Sequence, residues 1–219
     1  MIYLFLVFIS LGYGALMLWF TDGIRRQSIS EMTNTTLPEV TIIVSAHNEE
    51  DNLPLLIPAL INQTYSNELL KLIIINDRST DKTAEILAEF QKKVNNLTVL
   101  TINETPKEWA PKKWALNTAI NTVTTEIILQ TDADCIPHKD WAITMVQPFS
   151  NPAIGFVSGP APLTNRITLV DSLYELDSLA QDAFSAGGIN QGMVFSCTGR
   201  NMGFSKQAFD DVHGYKNIS

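Results

Sequence analysis

Two carboxylates one residue apart, Asp132-Ala133-Asp134, follow the apolar run EIILQT (126–131). At a strand end, where the chain turns, both can approach one hard divalent cation. Mg2+ or Mn2+ takes oxygen ligands and is usually held by one or two carboxylates together with substrate phosphates. Such a cation neutralises charge building on a leaving diphosphate. D-x-D alone is a common pattern, but two more polar stretches also follow apolar runs. Ser45-Ala46-His47-Asn48-Glu49-Glu50 closes VTIIVS (40–45), and Asn76-Asp77-Arg78-Ser79-Thr80-Asp81 follows LLKLIII (69–75). Any one of them reads as helix capping, with Asn52 and Ser79 or Thr80 as N-cap types and acids in the first turn. Three acidic clusters on one edge repel one another unless a cation or a donor-rich ligand, such as a ribose or a base, sits among them.

Bringing those clusters together requires a particular kind of scaffold. From Val40 onward, short apolar runs alternate with helical stretches. VTIIVS (40–45) precedes a helix around 52–63, with Pro54 tolerable in its first turn. LLKLIII (69–75) precedes a helix from about Thr80 to Val94. LTVLTI (97–102) precedes one near 113–122, and EIILQT precedes one near 139–147, followed by IGFVS (154–158). Continuous apolar strands separated by helices predict an α/β domain whose mostly parallel sheet is covered on both faces. Ligands of such sheets bind at the carboxyl ends of the strands, where all three clusters fall. A further helix is predicted over 167–184, with Leu169, Leu173, Leu176, Ala180 and Ala183 at helical spacing. Its default role is to face the core. The alternative is a membrane-surface or acceptor-side helix, although its acids (Asp171, Glu175, Asp177 and Asp182) do not suit anionic lipid.

The first twenty residues, MIYLFLVFISLGYGALMLWF, carry no charge and are long enough as a helix to cross a hydrocarbon core of roughly 30 Å. Tyr3, Trp19 and Phe20 sit where interface aromatics belong. A cleaved signal peptide fits less well, because no Lys or Arg precedes the run and no small-x-small site closes it. Arg25 and Arg26 follow it, which places the remainder on the cytosolic side. The expected organisation is a transmembrane helix at 1–20, a polar linker at 21–38 and a globular domain at 39–219. Of the 219 residues, 15 are Lys or Arg and 23 are Asp or Glu, a net charge of -8 without a basic stripe; nucleic acid is therefore not an expected partner. Cys135 and Cys197 stand apart, which excludes a disulfide framework or a zinc cluster as organiser. Cys197 is expected to be a small buried residue.

Taken in order and at their spacing, VTIIVSAHNEEDNLPLLIPAL, LIIINDRSTDKT, PKKWALNTAI and LQTDADC resemble glycosyltransferase family 2 over roughly residues 38–215. That resemblance implies the GT-A fold, which is Rossmann-like, and an inverting, hexosyltransferase-type reaction from a nucleoside-diphosphate sugar, assisted by Mg2+ or Mn2+. It also implies site residues. Ala46 and Glu49 line the nucleotide pocket, with Glu49 near the ribose. Asp77 accepts from a ring N–H of the base, and Lys112 faces the donor, with Lys113 as the alternative. Asp132 and Asp134 serve the metal and diphosphate, Asp134 being the favoured direct ligand. Ser45, His47, Asn76 and Pro111 depart from the family's usual Pro, Tyr, Asp and Gly. The loss of Asp at position 76 leaves the nucleotide open, and His47 reads as a packing residue.

The stretch GMVFSCTGRNMGFSKQAFDDVHGY (192–215) resembles the family's acceptor-side region. Gly192 and Gly199 would allow close backbone approach there, and Arg200 meets phosphate, acceptor or an acid. In the family the general base follows shortly after this Gly-Tyr, so the base and the C-terminal part of the domain are expected beyond Ser219. The N-terminal anchor suggests a lipid-linked or polysaccharide acceptor at the membrane. Two other readings compete. A non-catalytic nucleotide-sugar-binding scaffold has no need of the Asp132/Asp134 pair. A nucleotidyltransferase would carry a Gly-rich basic loop where SAHNEED stands.

Overall fold

The computed structural model describes residues 1–25, 36–162, 168–194 and 196–216. Most of the expected linker, including Arg26, lies outside the described residues. The chain forms two compact units, one drawn from residues 1–29 and 158–198, the other from 30–157 and 199–219.

The larger unit is built on strands β1 (Val40–Ala46), β2 (Leu70–Asp77), β3 (Leu97–Ile102) and β4 (Ile127–Asp132), all parallel and in the order β3-β2-β1-β4. Successive strand residues point to opposite faces, so a run buried on both sides must be apolar throughout. On one face Ile42, Val44, Leu72, Ile74 and Leu129 pack with Leu56 and Leu60 of helix α2 (Leu53–Ile61), Leu87 of α3 (Thr83–Lys93) and Met145 of α5 (Trp141–Val146). On the other, Ile43, Ile73, Ile75 and Ile128 meet Ala115, Leu116, Ala119 and Ile120 of α4 (Pro111–Ile120). Ser45 is level with Asp132 and Ala46 with Asn76, so the carboxyl ends of β1, β2 and β4 form one rim.

One strand departs from the predicted parallel set. β5 (Phe156–Ser158) lies at the sheet edge, and β6 (Asn201–Ser205), not among the expected strands, runs antiparallel to β4 and lies between the two. NMGFS is short and interrupted by glycine, so its pattern is too weak to announce a strand. Gly203 lets the strand lie close to β4: a Cβ there would stand 2.8 Å from Leu129 Cδ2 and make that side chain shift. Helix α7 (Lys206–Asp211) follows and stacks Phe209 on Phe204, with centroids 5.4 Å apart.

The smaller unit pairs two long helices. α1 (Ile2–Arg25) is apolar and long enough to cross a membrane, and it continues five residues past the apolar run, with Thr21 Oγ1 donating to the Met17 carbonyl at 2.8 Å. α6 (Leu169–Asn190) starts from a capping box: Asp171 N–H donates to Thr168 Oγ1 at 3.1 Å and Thr168 N–H to Asp171 Oδ2 at 2.8 Å. The helices touch backbone to backbone at Gly23 and Gly187. Gln191 Nε2 bridges the Trp19 carbonyl and Asp22 Oδ2, each at 3.1 Å. A Cβ on Gly187 would lie 2.5 Å from the Phe20 carbonyl oxygen. Gly187→Val is therefore expected to destabilise this helix pair by about 1–3 kcal/mol through overpacking. Chemical unfolding in detergent, followed by Trp fluorescence, checks it; an unchanged midpoint would show that the pair does not depend on the close approach.

α6 reverses the expected orientation. Leu173 and Leu176 are 59% and 65% exposed, while Glu175, on the opposite face, is 4% exposed. The apolar stripe of this helix does not face a core within the described chain.

Candidate active site at the carboxyl edge of the sheet

The loops leaving β1 and β2 are laced together by backbone donors. Asn48 N–H donates to Ser79 Oγ (3.1 Å), Glu49 N–H to Thr83 Oγ1 (2.8 Å) and Glu50 N–H to Asp81 Oδ2 (3.1 Å). In return Thr80 N–H donates to Asn48 Oδ1 (2.8 Å) and Lys82 N–H to Glu50 Oε2 (3.0 Å). The repulsion expected among these acids is thus relieved within the chain, and Glu50 and Asp81 serve the loops. Burial pushes the Asp81 carboxyl up, but hydrogen bonds from Thr83 and from the Glu50 backbone outweigh it and hold it below its ordinary range. The anticipated N-caps differ as well. Asn52 occupies the α2 cap position but spends its side chain on Glu49 Oε2 (2.7 Å), and at α3 the cap position falls to Lys82, without a side-chain cap.

Asp77 ends β2 with a buried carboxylate, 5% exposed, and Arg78 grips it: Nε donates to Oδ1 at 2.8 Å and Nη2 to Oδ2 at 3.1 Å. Arg78 adopts φ 56, a left-handed conformation that costs a non-glycine residue about 1–2 kcal/mol. Its amide is tied to the Ile102 carbonyl at 3.0 Å, and His47 Nδ1 donates to the Asp77 carbonyl at 2.6 Å. His47 is thus a strut for the β2 end. Arg78 stands outside the set of residues expected at the site; its signal in the sequence is a bulky cation next to Asp77.

Ala46, expected to line the pocket, is fully buried in the core, backbone included, and presents no surface on the rim. Glu49 is half-buried on the same rim. Lys112, in the first turn of α4 behind Pro111, reaches across the edge to Asp132, with Nζ 2.7 Å from Oδ1. Asp134 is exposed two residues on. Cys135 donates weakly to Asp134 Oδ1 at 3.6 Å; its thiol is pushed up by burial and then by the Asp134 charge, which makes it a poor nucleophile. Cys197 is exposed, contrary to the expectation that it would be buried. Gly192 has φ 79 with open space around it, so its use is conformational, while a Cβ on Gly199 would make ordinary contact with Gln130.

The sequence profile of glycosyl transferase family 2 matches residues 41–212. The chain belongs to this family. Glycosyltransferase AglE of Haloferax volcanii is 30% identical over 130 residues, covering 59% of this chain and 41% of the relative. The beta-monoglucosyldiacylglycerol synthase of a Nostoc species is 35% identical over 130 residues, covering 59% and 27%. The poly-beta-1,6-N-acetyl-D-glucosamine synthase of Staphylococcus epidermidis is 27% identical over 184 residues, covering 80% and 41%. The chain thus spans about two fifths or less of the length of these relatives. Among solved structures, a mannosyltransferase from Pyrobaculum calidifontis in complex with GDP-Man and Mn2+ superimposes with a TM-score of 0.69 at 20% identity, covering 95% of this chain and 57% of that one.

Family membership and that likeness establish the α/β, mostly parallel GT-A fold. Within this member of family 2, the rim carries Asp77, Lys112, Asp132 and Asp134 on the ends of β2 and β4 and the start of α4. Among the described residues, no group of three or more His, Cys, Asp or Glu gathers as a metal cage. Two carboxylates, one exposed, are the donor set that suits a hard cation completing its shell with phosphate oxygens and water.

Proposed function

We propose that this chain is the donor-binding part of a membrane-anchored, inverting glycosyltransferase. It would move a hexose from a nucleoside-diphosphate sugar to a membrane-associated glycan or lipid. The observation that carries this reading is the convergence of Asp77, Asp132, Asp134 and Lys112 on the carboxyl rim, where α/β sheets bind ligands.

Asp134, with Asp132 beside it, would hold Mg2+ or Mn2+, which supplies Lewis-acid stabilisation of the leaving diphosphate. The Mn2+ in the Pyrobaculum relative supports that choice of ion. Lys112 orients Asp132 before the donor arrives and offers its ammonium to a phosphate oxygen once there. Asp77 takes the base and Glu49 the ribose, while Ala46 supports the rim from within the core. The acceptor hydroxyl must also lose a proton to a base; we assign that role to no residue of this chain. The exposed apolar α1, with Arg25 at its last turn, supports anchorage with the domain on the cytosolic side. Relatives named for a glucosyldiacylglycerol and for a poly-N-acetylglucosamine support a lipid or polysaccharide acceptor.

Calorimetric titration of the full chain in detergent with UDP and GDP, with and without Mn2+, tests the proposal. Binding of at least one nucleotide that requires the cation is expected. If a demonstrably folded chain binds neither, the donor reading fails.

A further inference from the structure

We propose that Arg78 determines which base the donor site accepts, admitting a uridine nucleotide and disfavouring a guanosine one. This inference rests on the donor-binding reading above, with Asp77 as the acceptor for the base.

Both Asp77 oxygens are engaged by the Arg78 fork, at 2.8 and 3.1 Å. Guanine presents two adjacent N–H groups, at N1 and N2, that seek both oxygens of one carboxylate in the same side-by-side geometry. It therefore competes with Arg78 for the same lone pairs. Uracil presents a single N3–H flanked by carbonyl oxygens. One Asp77 oxygen can accept that N–H through its second lone pair, since each carboxylate oxygen has two acceptor sites. The guanidinium has five N–H donors and spends two on Asp77, so a remaining one can meet a flanking uracil carbonyl. Uracil thus adds to the Asp77–Arg78 pair with an acceptor on either side of its N–H, whereas guanine carries a donor, N2–H, on one side, and can satisfy it on Asp77 only by breaking the pair.

Breaking it is costly because the pair is held from three sides. The acid is buried, and expelling its partner leaves a charge to be re-satisfied in a poorly solvated place. Arg78 is fixed at φ 56 by its amide bond to Ile102, and His47 secures the Asp77 carbonyl. A bulky residue retained in a left-handed conformation beside a ligand-binding acid is strain of the kind that gathers at functional sites.

The test is nucleotide affinity of the full chain in detergent with Mn2+, measured for UDP and GDP in the unaltered protein and in Arg78→Gly. Glycine accepts φ 56 without strain, so this variant is expected to fold, and a thermal melt verifies that. In the unaltered chain UDP should bind on the order of tenfold or more tighter than GDP, as loss of a charge-assisted hydrogen bond implies. In Arg78→Gly the ratio should fall to within about threefold, mainly because GDP gains. Equal or tighter GDP binding by the unaltered chain overturns the inference and leaves the donor reading standing. So does a preference unchanged in Arg78→Gly. Binding of neither nucleotide to folded protein overturns both.

Discussion

Replacing Asp132 and Asp134 together with alanine is expected to weaken Mn2+-dependent nucleotide binding by on the order of a hundredfold or more, the scale on which metal sites lose affinity when their ligand shell is disturbed. The two carboxylates are the only ones that the sequence pattern places on one turn after β4. They also differ in situation: Asp132 is held by Lys112 at 2.7 Å, while Asp134 is exposed and open to a cation. Most of the loss should therefore appear in Asp134→Ala alone. Asp132→Ala removes the partner of Lys112 and should lower affinity less, because the freed ammonium can still meet a phosphate. Titration with and without Mn2+ separates the terms. Asp134→Ala should hardly move stability, since exposed substitutions usually stay within about 0.5 kcal/mol, and Asp132→Ala should add no more than about 1 kcal/mol for its pair with the exposed Lys112. A double variant that binds nucleotide with an unchanged, cation-dependent Kd would remove this pair from the site.

The largest expected effect on stability lies in β2. Ile74 is fully buried on the central strand between β1 and β3 and faces the layer that includes Leu56, Leu60 and Leu87. Ile74→Ala should cost about 2–5 kcal/mol, the transfer term of the lost methyl groups plus the cavity that rigid neighbours cannot close. Leu55, exposed on α2, is the matched control and should change stability by about 0.5 kcal/mol or less. Urea unfolding of the three proteins decides. A loss below about 1 kcal/mol at Ile74 would mean that this layer is not packed as described.

The parallel half of the fold was legible because burial on both faces leaves an uninterrupted apolar signature, and VTIIVS, LLKLIII, LTVLTI and EIILQT each carry it. The rim followed from those strands, since their ends are where ligand residues belong. What escaped was decided by contacts distant in sequence. β6 exists because β4 offers an unpaired edge and Gly203 lets the chain lie against Leu129, and neither fact is visible in NMGFS. α6 showed its helical period clearly, yet periodicity does not say which face will be covered, and here the leucines are the exposed ones. At the site, acid types were readable but their engagements were not. Glu50 and Asp81 satisfy backbone amides across two loops, and Asp77 is gripped by its own neighbour.

The antiparallel strand has a consequence for how the chain is made. β4 is complete when Asp132 has been synthesised, but β6, which covers its free edge, begins only at Asn201. At translation rates of about 5–20 residues per second, the nascent sheet waits on the order of several seconds with the hydrogen-bonding groups of a central, apolar strand bare. An unpaired edge of that kind is a template for pairing with another chain. During that interval the nascent sheet offers such a template, and the long α6 must be delivered before the edge can close.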